Sequence, residues 1–212
     1  MSKPTIISKI QKQKRHAQRY NIYIDDEYAF SVHEDVIVSH RLLKGREIDV
    51  DEMKGILKAE ESKKAELSGL RYLGYRPRTT QEMNQYLLQK GYEQELIEAL
   101  IDQWKKQGYL DDEKFAMQWV TERLRTKRKG PYVLQEELRQ KGIATIYIER
   151  ALAQIEEETQ RTSCLALAEK KWRTLAQEKD ERKRKQKLIL YLQRRGYTYD
   201  IIQSILPNVI ES

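Results

Sequence analysis

Three histidines, one cysteine and several acidic runs are the side chains that could hold a metal or act in catalysis. His16, His33 and His40 share no regular spacing with Cys164 or with acids, so neither a zinc site nor a catalytic triad is supported. Cys164 lies in the apolar run CLALA, which favours a buried small hydrophobic residue over a reactive thiol. One cysteine cannot form an internal disulfide, which fits a reducing compartment.

The segment GYLDDEKFAMQWV carries the strongest acidic candidates. Asp111, Asp112 and Glu113 could ligate a metal, but acids that follow a turn and precede an apolar run suit the N-cap and first turn of a helix better. The acidic triplet 156–158 is read as a solvated face or a linker. We therefore predict no catalytic, cofactor-binding or metal-binding residue, and a protein that is not an enzyme.

A glycine motif recurs as LLQKGY at 87–92, LRQKGI at 138–143 and LQRRGY at 192–197. A recurring glycine can bind phosphate, but neither GxGxxG nor GxxxxGK[ST] is present. The spacing matches instead a helix that ends in a Schellman motif, in which a left-handed glycine is followed by an apolar residue that packs on a leucine five positions earlier. We expect two further helix ends of this kind, at Gly74 and Gly108.

The glycine spacing also predicts a repeat. Gly91 and Gly142 are 51 residues apart and Gly142 and Gly196 are 54 apart, which is room for three short helices. Apolar residues align under these offsets, for example Leu87 with Leu138. The predicted helices are 50–73, 79–90, 93–107, 111–127, 130–141, 145–158, 160–176, 180–195 and 198–206. They form three helix-turn-helix-like units, each too small to be stable alone and each covering a face of its neighbour.

The first fifty residues have a different pattern. YNIYID and YAFSVH alternate apolar and polar residues and predict a β-hairpin across residues 25–27, with TIISKI as a candidate third strand. An isolated hairpin is marginal in water, so it should pack on the following helices. The expected domains are 1–48 for the hairpin module and 49–110, 111–158 and 159–212 for three helical repeats. The fold class is mainly α.

The net charge of +7 and the pI near 9.3 favour a polyanionic partner. Basic residues recur in register at the start of the second helix of each repeat, where the helix dipole disfavours them. This placement suggests an anionic-partner surface, with plain solubility as the alternative for any single residue. The candidate binding residues are Arg76, Arg78, Lys90, Arg123, Arg125, Lys127, Arg128, Lys129, Lys141, Arg182, Lys183, Arg184, Lys185 and Arg195.

The N-terminal arm is basic before its first acid at Asp25. It could contact phosphates by charge alone or be a disordered, solubilising tail, and both readings stay open. Its cations are Lys3, Lys9, Lys12, Lys14, Arg15 and Arg19. The arm contains no apolar signal region, and no run of 18 apolar residues occurs, so we expect a soluble, cytoplasmic protein. The sequence shows no heptad seam, and we expect a monomer.

Three segments together resemble the RecX family of recombination regulators. They are RYLGYRPRTTQEMNQYLLQKGY, QGYLDDEKFAMQWVTERL and RKGPYVLQEELRQKGI, in this order. The resemblance runs from about Ala65 to the C-terminus, and Thr5 to Ile48 looks like the N-terminal extension of members from Gram-positive bacteria. One departure is RKRKQ in the third repeat where the second has KGP, so the second helix of the third repeat could start differently.

The resemblance implies a non-enzymatic protein of three tandem three-helix repeats in an elongated, curved array. Such a protein binds the groove of the RecA filament on single-stranded DNA and mostly restrains recombinase, ATPase and coprotease activity in DNA repair and recombination. Some members also bind DNA directly, so single-stranded DNA and, as a further candidate, double-stranded DNA are expected partners beside RecA. No cofactor is implied. The alternative reading is a stand-alone, sequence-nonspecific DNA-binding repeat protein.

Overall fold

A computed structural model describes residues 5–210, in which a small sheet precedes a series of helices. The strands are β1 (Thr5–Lys12), β2 (Arg19–Ile24), β3 (Glu27–His33) and β4 (Glu47–Ile48). The helices are α1 (Glu34–Ser39), α2 (Val50–Tyr75), α3 (Thr80–Gln89), α4 (Gln94–Lys106), α5 (Asp112–Lys127), α6 (Pro131–Gln140), α7 (Thr145–Ala153), α8 (Glu157–Thr174), α9 (Glu181–Arg194) and α10 (Tyr199–Ile210). The nine predicted helices are all present, and the short α1 and β4 were not predicted.

The sheet is antiparallel with strand order β3-β2-β1-β4. Asp25 and Asp26 both have positive φ, at 48° and 68°, which is the left-handed pair that a two-residue hairpin turn needs. The predicted hairpin and the candidate third strand TIISKI, which is part of β1, are therefore confirmed. Ile7, Ile22 and Val32 are buried on one face of the sheet.

Helix α2 covers that face, as expected for a sheet too small to stand alone. Ile56 of α2 joins the core of the sheet. The buried Glu60 carboxylate pairs with Arg19 at 2.7 Å and accepts the His33 amide at 2.6 Å. A buried carboxylate needs such partners, so Glu60 ties β2 and β3 to the helix.

By its packing the chain divides into two compact units. One comprises residues 1–76 and 86–100, and the other comprises 77–85 and 101–212. The second unit contains two complete three-helix groups, α5–α7 and α8–α10, each with its own apolar core. Leu134 and Leu138 are fully buried in the first of these cores, and Leu188 and Leu192 occupy the aligned places in the second.

The recurring glycines end helices as predicted. Gly91, Gly108, Gly142 and Gly196 all have left-handed φ, between 73° and 91°. Behind Gly142, the Ile143 amide donates to the Leu138 carbonyl at 3.1 Å, and the same six-residue hydrogen bond closes the other three turns. These bonds satisfy carbonyls that the helix end leaves open.

The prediction for Gly74 is wrong. Helix α2 continues through Gly74 to Tyr75 and ends before Pro77. Arg76 is extended, with φ −168° and ψ 161°, because the proline ring excludes the helical conformation from the residue that precedes it. Proline, rather than glycine, stops this helix.

At two of the glycine turns, the start of a helix from the preceding repeat donates a hydrogen bond to the turn. Thr79, which precedes α3, donates its hydroxyl to the Lys141 carbonyl at 2.8 Å. Gly130, the N-cap of α6, donates its amide to the Arg195 carbonyl at 2.8 Å. At the second joint the backbones are so close that a Cβ on Gly130 would lie 2.5 Å from the Tyr197 nitrogen.

Replacing Gly130 by alanine should therefore destabilise the protein. Its φ of −76° suits any residue, so the loss of about 2 kcal/mol comes from the clash at the joint. Gly55→Ala is the matched control, because Gly55 lies within α2 with nothing within 4 Å of its Cβ position. It should stabilise by up to about 1 kcal/mol. Urea unfolding gives both values, and equal stability of the two variants would contradict the close joint.

Candidate polyanion-binding surface

Three of the candidate cations form a cluster inside the second repeat. The Arg123 guanidinium lies 4.1 Å from the ring centre of Trp119, and the Lys141 ammonium lies 4.6 Å from it. The indole N–H donates to Glu137 at 3.0 Å, and Glu137 also pairs with Lys129. These cations are partly buried and already have partners, so their first role is to join α5 to α6.

Lys141 also links two repeats. Its ammonium pairs with Glu82 of α3 at 2.7 Å, and both side chains are less than one-fifth exposed. Thr79 and Glu82 form a capping box, in which the Glu82 amide donates to the Thr79 hydroxyl at 3.1 Å. Sequence reasoning missed the role of these two residues, although the T-x-x-E spacing before an apolar run was a usable signal.

Arg125, Lys127 and Arg128 are exposed at the end of α5. Lys127 is the last helical residue and Arg128 is the C-cap, where the negative end of the helix dipole favours cations. Lys129, the third member of the predicted cluster, follows this C-cap. The argument that the dipole disfavours this cluster is therefore wrong, because these residues belong to the end of α5 and not to the start of α6.

Arg125 and Arg128 line a groove of about 550 Å³ between α5, α7 and α8. Val120, Leu124 and Ile155 form an apolar part of its wall. Hydroxyl groups also line it, from Thr121, Thr159, Thr162 and Ser163.

In the third repeat the cations do lie at the start of a helix, where the positive end of the helix dipole disfavours them. Arg182, Lys183 and Lys185 are exposed in the first turns of α9, and Asp180 caps the helix by accepting the Lys183 amide at 3.1 Å. Arg184 differs from them, because its guanidinium stacks 3.7 Å from the centre of the Trp172 ring and donates to the Trp172 carbonyl. Helix α9 begins at Glu181, one turn before the position that the repeat spacing gives. This agrees with the presence of RKRKQ where the second repeat has KGP.

The remaining candidates lie near the ends of helices. Arg195 donates to the Lys127 carbonyl at 2.9 Å and so supports the joint between the second and third repeats. Lys90 is exposed, with its ammonium 5.7 Å from the ring centre of Tyr86. Arg76 is exposed after α2, and Arg78 is half-buried before α3.

Lys9, Lys12 and Arg19 of the basic N-terminal arm belong to strands of the sheet. Lys9 and Lys12 extend over the rings of Tyr23 and Tyr20, and Arg19 is the partner of Glu60. Lys14 and Arg15 are exposed in the loop after β1. Lys3 lies outside the described residues.

The acids of the GYLDDEKFAMQWV segment have structural roles. Asp111 caps α5 by accepting the Lys114 amide at 2.8 Å, which confirms the capping interpretation. Asp112 accepts the Thr80 amide at 2.8 Å, and Glu113 pairs with Arg150 at 2.9 Å. Across residues 5–210, no group of three or more potential metal-binding side chains occurs.

Cys164 is fully buried in the core of the third repeat, as predicted. Burial raises the pKa of its thiol to about 12, so the thiol stays protonated near neutral pH. In the same described range, no helix has the length and apolar character needed to cross a membrane.

Tandem three-helix groups, joined through helix ends and preceded by a small sheet, define a helical repeat protein with basic surfaces. Models of four RecX domains match the chain: the N-terminal domain at residues 5–49 and the first, second and third three-helix domains at 65–103, 111–152 and 158–206. The chain belongs to the RecX family.

Named relatives agree with this assignment. The chain is 38% identical over 210 residues to "Regulatory protein RecX" of Bacillus cytotoxicus and 36% identical over 209 residues to that of Bacillus mycoides. Each comparison covers 97% of this chain and 77% of the relative. A solved structure described as "Crystal structure of regulatory protein RecX" superposes with a TM-score of 0.83 at 35% identity, over 95% of this chain and 98% of that one. RecX from Lactobacillus salivarius gives a TM-score of 0.69 at 27% identity, over 73% and 99%.

Comparing Lys141→Met with Lys185→Met should distinguish a cation that stabilises the fold from one that is only exposed to solvent. The variant keeps the aliphatic stem but loses the Glu82 ion pair and the contact with the Trp119 ring, which together contribute about 1 to 2 kcal/mol. Lys185→Met removes the same charge from an exposed position and should change stability by less than about 0.5 kcal/mol. The free energies of unfolding in urea test this, and two equal losses would remove the structural role of Lys141.

Proposed function

We propose that this protein is a non-enzymatic regulator of recombination that binds the groove of the RecA filament on DNA. In this role it restrains filament-dependent recombinase, ATPase and coprotease activity. Family membership over 97% of the chain carries the proposal, because the matched relatives are named regulatory proteins RecX. The proposed modules are 1–48, 49–110, 111–158 and 159–212, in a cytoplasmic monomer.

The exposed cations of the second unit support a polyanionic partner. One group, at the end of α5, lies near the C-terminal end of α9, because Lys127 accepts a hydrogen bond from Arg195. The other group lies in the first turns of α9. A helix of 14 residues is about 21 Å long, so the two groups are spaced along a surface long enough for several phosphates.

A repeat protein suits a filament for an additional reason. Each repeat can contribute a weak contact, and linked weak contacts raise the overall affinity without a deep pocket. The partly buried cations of the second repeat, such as Lys141, are better suited to hold the repeats together than to contact DNA. We therefore assign partner contact to the exposed set, which comprises Lys90, Arg125, Lys127, Arg128, Arg182, Lys183 and Lys185.

The test is DNA-dependent ATP hydrolysis by RecA of the same organism. Wild-type protein at or below stoichiometric amounts should lower the rate. The double variant Arg182→Glu/Lys185→Glu should need about tenfold more protein for the same effect, since both cations are exposed and close to the proposed contact.

The control is Lys105→Glu/Lys106→Glu, which makes the same change in net charge at exposed positions of α4. It should act like wild type, and circular dichroism should confirm that both variants keep their helices. If the wild-type protein leaves ATP hydrolysis unchanged while it still binds DNA, the proposed function is wrong.

The groove beside Arg125 and Arg128 favours a second candidate, a sequence-nonspecific DNA-binding protein that acts alone. An apolar wall next to two guanidinium groups suits an unpaired base with its phosphate. If about five cations contact phosphates, log affinity against log salt should have a slope near −3.5 on single strands and near −4.5 on duplex DNA. Fluorescence anisotropy across a salt series measures the slope. Strong binding with this slope and no effect on RecA would favour the second candidate.

A further inference from the structure

The second unit builds the same joint twice with equivalent residues. In each joint the start of a helix donates to the carbonyl that precedes a left-handed glycine: the Thr79 hydroxyl donates to Lys141 O and the Gly130 amide to Arg195 O, both at 2.8 Å. The donors are 51 residues apart and the acceptors are 54 apart, which are the glycine spacings of the repeat. A helix amino end on a glycine turn is therefore a recurring contact of this fold.

The joint is favourable because it pairs opposite helix ends. The first amides of a helix and the last carbonyls of another both lack partners within their own helix, and the ends carry opposite partial charges. At the second joint the Tyr132 amide adds a bond to the Gly196 carbonyl at 3.1 Å.

The first repeat has the same turn, but within residues 5–210 no helix start donates a backbone hydrogen bond to it. Gly91 has a φ of 86°, and the Tyr92 amide donates to the Leu87 carbonyl at 3.3 Å as in the other turns. Nothing lies within 4 Å of the position of a Cβ on Gly91. Between residues 5 and 210, no backbone amide donates a hydrogen bond to the carbonyl of Lys90, the equivalent of Lys141 and Arg195.

Two side chains at this turn suit a protein partner. Leu88 is 46% exposed, whereas the aligned residues of the other repeats are the polar Arg139 and Gln193. Lys90 aligns with Lys141, whose ammonium pairs with Glu82 in the third position of a helix. An exposed leucine and a cation beside an open acceptor make a small site with an apolar part and a charged part.

We propose that the turn formed by Leu88, Lys90 and Gly91 receives the amino end of an α-helix from a protein partner. The expected helix has Ser, Thr or Gly at its N-cap and an acidic third residue, as Thr79 and Glu82 have in the joint within the chain. The inference rests on the proposed function, because the partner used to test it is the RecA filament.

A second copy of this chain does not supply a matching helix end. By the glycine spacing, the residue of the third repeat that aligns with Gly130 is Arg184, whose bulky side chain stacks on Trp172. The N-cap of α9 is Asp180, and its carboxylate would repel a carbonyl acceptor. The third repeat therefore lacks the equivalent of the donor helix, and we assign the helix end to another protein.

The experiment measures binding of the full chain to RecA filaments assembled on single-stranded DNA. Gly91→Asn keeps a residue that tolerates left-handed φ but places a side chain in the open volume, and it should raise Kd at least about tenfold. Gly108→Asn is the matched control, because Gly108 has a φ of 76° and nothing within 4 Å of its Cβ position. It should bind within about twofold of wild type.

A second pair of variants tests the same site without replacing a glycine. Leu88→Arg places in the first repeat the residue that the second repeat has at Arg139, and it should also raise Kd about tenfold. Leu57→Arg changes a leucine of similar exposure, 45%, on α2 and should leave Kd unchanged. This pair decides the question if Gly91→Asn fails to fold.

The outcomes separate the two proposals. If the wild-type protein does not bind the filament, the proposed function fails. If the wild-type protein binds and both Gly91→Asn and Leu88→Arg bind equally well, the helix-docking inference is overturned while the proposed function stands. Sedimentation velocity gives the remaining outcome: self-association of the wild-type protein that Gly91→Asn abolishes would make the occupant a second copy and overturn the inference.

Discussion

The close backbone approach between Gly130 and Gly196 is the constraint on which the arrangement of the second and third repeats depends. At this point the first amides of α6 donate to the last carbonyls of the turn after α9. Each helix end supplies the partner that the other lacks, and the two dipoles attract. Only glycines let the backbones come this near, so the joint fixes both the residue type and the spacing of the motif.

Joints of this kind also distinguish two sets of cations, those that support a joint and those that lie in solvent. Arg195 and Lys141 hold equivalent positions before their glycines, and each uses its side chain to support a joint, through the Lys127 carbonyl and Glu82 respectively. A cation in such a position is half-buried and paired, and transfer to a phosphate would break an existing contact. Residues such as Lys185 support no joint and lie in solvent. The repeat architecture thus separates stabilising cations from solvent-exposed ones.

The fold could be predicted from the sequence wherever a local pattern decides the outcome. The pattern of a glycine followed by an apolar residue correctly located four helix ends. It failed at Gly74, because Pro77, three residues later, ends helix α2 instead. The binding surface was less predictable. Lys141 and Lys185 look alike in the sequence, and they differ because Lys141 meets Glu82, 59 residues away. Helix α1 was missed because six residues are too few to show a helical period.

The first and third repeats differ from each other in the parts that correspond to a joint. The first repeat keeps an open glycine turn at Gly91, whereas α9 of the third repeat begins a turn early, with Asp180 as its cap and Arg184 in the place of the small residue that a joint requires. Repeat proteins commonly need such altered end units, because an unmodified end would add further copies without limit. Here the modification closes the third repeat and leaves the acceptor of the first open.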